Sequence, residues 1–137
     1  MTRKIISFMF LVVVACACNS KKEEKPATAL DAGRMFIRAS LDGDFTTTEK
    51  LLLRDTANVQ LFQTYKLVYE RMPADKKKHY KDASYEINKY LDLNDSTTII
   101  NYSNSYMNKP MEIKVVRQDN SWMIDFKYIS SGNLPID

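Results

Sequence analysis

The feature that most constrains this chain is a single change in the spacing of its apolar residues, near Lys81. Before it, apolar side chains recur every three to four residues; after it, they alternate with polar ones. Thr28 can cap a helix running to about Asp42, with Ala32, Met35, Phe36 and Ala39 on one face and Gly43 as its stop. Asp44 starts a short second helix to about Leu53. A third runs from about Ala57 to Arg71, with Leu61, Tyr65, Val68 and Met72 on one side, and Pro73 interrupts it before a basic turn or two from Ala74 to Lys81. Then Tyr85, Ile87, Leu91 and Leu93 predict a half-buried strand, and Thr97–Tyr106 a second. Met111, Ile113 and Val115 mark a third strand. After a tight turn at Asp119-Asn120 comes a fourth, with Trp122, Ile124, Phe126 and Tyr128 inward and Asp125 and Lys127 outward. Helices first and an antiparallel meander second make the class α+β, with N-terminal helices packed on a curved four-stranded sheet. A length of 137 residues suits one such domain, and 45 % hydrophobic with 27 % charged residues is a globular composition.

The chain opens on a different kind of segment. Arg3 and Lys4 precede an apolar run from Ile5 to Ala15, the pattern of a secretory signal. As a helix the run is about 16 Å long, against about 30 Å for a bilayer core, so a permanent span is not expected. It ends Val13-Val14-Ala15-Cys16-Ala17-Cys18, followed by the polar stretch Asn19-Ser20-Lys21-Lys22-Glu23-Glu24-Lys25-Pro26. This resembles the bacterial lipobox, in which a cysteine after small residues is acylated and becomes the new N-terminus. Cys18 is the expected lipidated residue, because the polar stretch follows it at once; Cys16 is the alternative register, with the better residue three positions before it. The expected organisation is a signal at 1–17, a flexible tether at 18–27, the folded domain at 28–130 and a tail at 131–137. The expected place is the bacterial envelope, with the lipid in the outer membrane, on the periplasmic side or at the cell surface. The Lys-Lys-Glu-Glu order also resembles the charged export tags that follow the lipidated cysteine in some surface lipoproteins.

Charge and rare residues limit the chemistry. Without Arg3 and Lys4, the 20 basic residues fall to 18 against 17 acidic ones, and nothing in that balance points to nucleic acid. One histidine and two cysteines, both near the start, exclude a multi-His metal centre or a Cys-rich zinc site in the folded part. His79 lies in Lys76-Lys77-Lys78-His79-Tyr80-Lys81, among cations and without an orienting acceptor. That run reads as a solvated helix face, or more sharply as a contact to lipid headgroups. Asp42-Gly43-Asp44 lacks the further oxygen ligands of a calcium loop and reads as a helix stop plus a cap. Asp55-Thr56-Ala57 and Asp95-Ser96-Thr97 match a short O-glycosylation acceptor used in some Gram-negative envelopes. Three glycines cannot build a phosphate loop, and no nucleophile elbow is present. No catalytic, cofactor or metal residue is therefore expected. Tyr65, Tyr85 and Tyr102, from a chain with eight tyrosines, are the candidates to line a pocket. Trp122 is expected to be core, packed near Met35, Phe36 and Ala39.

Two stretches carry a family resemblance: Ala39-Ser40-Leu41-Asp42-Gly43-Asp44-Phe45, and Ile113 through Gln118 with Asp119-Asn120-Ser121-Trp122-Met123-Ile124. In their order and spacing they resemble the nuclear transport factor 2-like, or cystatin-like, superfamily, and within it a branch of uncharacterised bacterial lipoproteins. The resemblance covers about residues 28–129. It implies a cone-shaped sheet wrapped round the first helix, often with a pocket at its open end. The superfamily includes enzymes that use an acid and tyrosines in the cone, and no such set can be placed here. A non-catalytic module binding a small ligand or an envelope protein is the expected function. A cone-pocket enzyme of isomerase or dehydratase type, or a structural or assembly accessory lipoprotein, are the alternatives.

Overall fold

The computed structural model describes residues 24–130. The leading segment, Cys16 and Cys18, most of the tether and the tail at 131–137 lie outside the described residues. The elements are helices α1 (Ala29–Asp42), α2 (Phe45–Leu51), α3 (Thr56–Arg71) and α4 (Ala74–Asp82), strands β1 (Tyr85–Asn94), β2 (Thr97–Asn104), β3 (Pro110–Gln118) and β4 (Ser121–Ile124), and a short helix α5 (Phe126–Ser130). The strands form one antiparallel sheet in the order β1-β2-β3-β4, with the helices packed against it. The class is α+β.

Helices α1, α2 and α3 each begin where a side chain satisfies free backbone N–H groups, whereas α4 starts after Pro73 with no side-chain cap. The Thr28 hydroxyl accepts from the Asp31 N–H at 3.1 Å while Asp31 accepts from the Thr28 N–H at 3.2 Å, a reciprocal cap on α1. Asp44 caps α2 and Asp55 caps α3 in the same way, through Thr47 and Asn58. Gly43 ends α1 at φ 70, the left-handed region that glycine enters without a side-chain penalty. Its neighbour's N–H then closes on the Ala39 carbonyl at 2.8 Å, and the Tyr69 ring lies where a Cβ would go. Midway along α1, Gly33 lets the Ile100 side chain of β2 approach the helix backbone. That approach brings α1 down onto the inner face of the sheet, against Ile100, Ile113, Val115 and Ile124, all fully buried.

Four expectations are corrected. Helix α2 stops at Leu51 rather than Leu53, because Leu52 forms a parallel bridge to Ile124 and the Leu53 N–H donates to the Ile124 carbonyl at 2.9 Å. Helix α3 buries Asn58, Phe62 and Tyr69; Tyr65, Val68 and Met72 face inward as expected, but Leu61 is 37 % exposed and Phe62 takes its place. Strand β1 is not half-buried throughout. A bulge between Ile87 and Lys89 changes its register, so Tyr90 now pairs with Ile100 and Leu91 with Ile99. Leu91 and Leu93, expected inward, are 51 % and 55 % exposed. The fourth strand ends at Ile124, and the chain turns into α5, whose Phe126 and Ile129 are buried one turn apart.

The same turn into α5 moves Trp122 and Asp125 from their expected surroundings. Trp122 pairs with Arg117 at the end of the sheet and is only half-buried, beside Thr28, Ala29 and Leu30 rather than Met35, Phe36 and Ala39. Phe126 takes the central place, edge-on to Phe62 at 5.3 Å and to Phe36 at 6.4 Å. Asp125 meets Lys114 at 3.6 Å, away from the core aromatics, and it is nonetheless buried.

Candidate functional site

The tyrosines expected to line a pocket separate into two places. Tyr65 on α3 and Tyr102 on β2 do converge, on a cavity between α1, α3 and the sheet that Tyr80 of α4 also borders. The cavity measures about 40 Å³. That admits a water molecule or two and is far below the roughly 300 Å³ at which small-molecule pockets begin. Its walls are mostly apolar, from Phe36, Met72, Met107 and Met111, with Ser40 and Asn104 as its polar members. Burial pushes the phenols of Tyr65 and Tyr102 well above the usual tyrosine range, with neighbouring tyrosines adding to it. Both are neutral hydroxyls at physiological pH. Tyr85 lies elsewhere, in a shallow surface depression with Ser84, Glu86 and Lys109.

Met72 and Met111 lie on apolar faces legible in the sequence, but Tyr80 and Met107 had no sequence signal as cavity residues. Tyr80 is embedded in the lysine run, yet its ring lies tilted against Tyr106 at 4.4 Å and its hydroxyl donates to the Met107 sulfur at 3.4 Å. Helix α4 otherwise buries nothing, and Arg38 holds its end by donating to the Lys81 and Ala83 carbonyls at 2.9 Å each.

The acids are engaged in structure. Asp42 pairs with Arg38 at 2.8 Å, and Asp44 accepts from the Thr47 N–H and hydroxyl, which holds its carboxyl below the usual range. Asp55 accepts from the Asn58 side chain and from Lys127, each within 2.9 Å. The one acid–tyrosine hydrogen bond among the described residues runs from the Tyr128 hydroxyl to Glu112 at 2.8 Å, on residues that do not border the tyrosine cavity. His79 is exposed and lies against the Tyr106 ring at 6.3 Å. Among the described residues no three His, Cys, Asp or Glu side chains are grouped to hold a metal. Thr56 and Ser96, of the two glycosylation-like triplets, are both exposed. No helix among the described residues is long and apolar enough to cross a membrane.

Two surfaces remain as candidates for contact. One is the outer edge of β1, where Tyr90, Leu91 and Leu93 are each more than half exposed. The other is a groove beside Trp122, where Lys25, Lys50 and Arg54 come together from the tether, α2 and the loop after it. Lys50 and Arg54 are four residues apart but Lys25 lies 25 residues before Lys50, so no local motif announces the three together. Comparison of the chain with protein-family models, with curated proteins and with solved structures found no match.

Proposed function

We propose that this chain is a lipid-anchored protein of the bacterial envelope, carrying a non-catalytic binding or interaction domain on a cone of the nuclear transport factor 2-like kind. The anchor rests on the basic start, the short apolar run and Cys18 before a polar tether. The cone is supported by the bulges that bend β1 and by the close seating of α1 on the concave face through Gly33. The observation that carries the non-catalytic reading is the tyrosine cavity: about 40 Å³, with no acid or histidine among its lining residues. Proton transfer needs an acid–base pair within reach of a bound substrate, and that cavity offers neither the space nor the pair.

The anchor is tested by fractionation. Cys18→Ser is expected to move the protein from the membrane fraction to the soluble periplasm, since two or more acyl chains anchor stably where one is marginal. Retention of the variant in membranes, with loss on Cys16→Ser, would assign the lipid to Cys16. A second reading, an assembly accessory, is favoured by the exposed Tyr90, Leu91 and Leu93 on an edge strand, an arrangement that invites pairing with another chain. Capture of a partner from detergent-solubilised envelopes that is lost on Leu91→Lys would support it. Equal capture by the variant would remove β1 from consideration.

A further inference from the structure

The groove beside Trp122 has a volume of about 470 Å³ and is bordered by Lys25, Lys50 and Arg54, with Asp119 as the one acid among its described lining residues. Trp122 forms its apolar floor with Met123, and the Arg117 guanidinium lies over the indole at 5.7 Å. The other flank of Trp122 differs in charge: Asp92 and Asp95 border a separate depression next to Thr28. A flat amphipathic ring with cations on one side is the composition that settles at a phosphate-rich lipid interface.

Position adds a second, independent argument. Lys25 and Pro26, the last residues of the tether, form one wall of this groove. Six residues separate Cys18 from Lys25, and the seven Cα steps between them span at most about 25 Å. The groove is thus leashed close to any bilayer that holds a lipid on Cys18. The lysine run of α4 is not. It leads through Ala83 into Tyr85, at the opposite end of β1 from the hairpin that borders Thr28, and β1 is 10 residues long, about 33 Å.

We infer that the Trp122 groove, and not the lysine run, is the face that seats on the membrane, with Lys25, Lys50 and Arg54 receiving the phosphates of anionic lipid headgroups. This rests on the proposed lipid anchor and goes beyond it, because an anchor alone leaves the domain free to take any orientation. Docking would give the domain one orientation, with the α4 end and the start of β1 held away from the bilayer.

Trp122 is the only tryptophan in the chain, so its fluorescence reports the contact directly. The full lipidated chain is reconstituted into vesicles of neutral phosphatidylcholine, or of phosphatidylcholine with one-third phosphatidylglycerol, each with and without lipids brominated high in the acyl chain. In the anionic vesicles the emission is expected to shift to the blue and to be quenched by bromine, and 0.5 M salt should reverse both. Each cation at an anionic surface is worth roughly fivefold in partition, so the triple variant Lys25→Gln/Lys50→Gln/Arg54→Gln should lose tenfold or more of the docked population. Its circular dichroism and melting should match the parent's, as all three side chains are at the surface. Lys76→Gln/Lys78→Gln, on α4, should leave the signal intact. Vesicles that float with the protein but show no anionic-lipid response at Trp122, or a response lost only in the α4 variant, would overturn the inference and leave the anchor standing. Failure of the protein to float with vesicles of either kind would overturn both.

Discussion

Asn58 does more for this structure than its polar character suggests. It is fully buried, its amide N–H donates to the Asp55 carboxylate at 2.9 Å, and its carbonyl accepts from the Lys127 backbone N–H at 2.8 Å. One side chain thus ties the start of α3 to the start of α5. Asn58→Ala would remove both hydrogen bonds made by this buried amide and is expected to cost about 1–3 kcal/mol, whereas Val59→Ala on the exposed side should change stability by less than about 0.5 kcal/mol; urea melts of both compare them. The aromatic positions separate in the same experiment. Phe126→Ala removes a fully enclosed ring and should cost about 3–5 kcal/mol. Trp122→Ala, at a half-buried ring, should cost distinctly less, and an equal or larger loss would place Trp122 in the core after all. Tyr102 makes a further prediction through pH. Its phenol is pushed up in the folded state, so the folded protein holds that proton after the unfolded chain has released it. The stability from this is complete below about pH 10 and is lost as the pH climbs above it, by roughly 1.4 kcal/mol per unit. Tyr102→Phe should flatten the alkaline slope by that amount, as read from urea melts between pH 8 and 11.5; an unchanged slope would mean that the phenol is not buried.

Among the elements, those whose signals are local were legible in the sequence. Thr28 and Asp44 cap helices through backbone N–H groups three residues on, Gly43 stops α1 at a positive φ, and Asp119-Asn120 supplies two positive φ values for a two-residue hairpin. The misread segments are those that tertiary contacts decide. The three leucines at 51–53 look like one helical turn, yet Leu52 and Leu53 bond to Ile124, 72 and 71 residues away. Phe126 and Tyr128 alternate like a strand. The buried pair, however, is Phe126 and Ile129, and the Asp125 carbonyl accepting from the Tyr128 N–H at 3.2 Å starts a helix there instead. In β1, the bulge at Asn88 reverses which of Tyr90 and Leu91 faces the helices, and no property of Asn88 alone announces it. The tyrosine cavity was legible only in part for the same reason. Tyr65 and Tyr102 stand out as aromatics on apolar faces, but whether Tyr85 joins them depends on where β1 begins along the sheet.

At the scale of the whole molecule, one end of the domain differs from the other. The end where the tether enters carries Trp122 and the cations of its groove, and the other carries α4, held through Arg38 and Tyr80. Between them α1 packs on the inner face of the sheet, and the cavity left there is too small for an organic ligand, so the surfaces of the domain are where recognition is expected. The account as a whole depends on this domain being held at a membrane by a lipid on Cys18. Mass spectrometry of the mature protein's N-terminal peptide, extracted from the membrane fraction, tests that most directly. The account predicts that residues 1–17 are absent and that the chain begins at Cys18 carrying a thioether-linked diacylglycerol. A membrane-extracted chain that retains residues 1–17, or that begins at an unmodified residue, would contradict it.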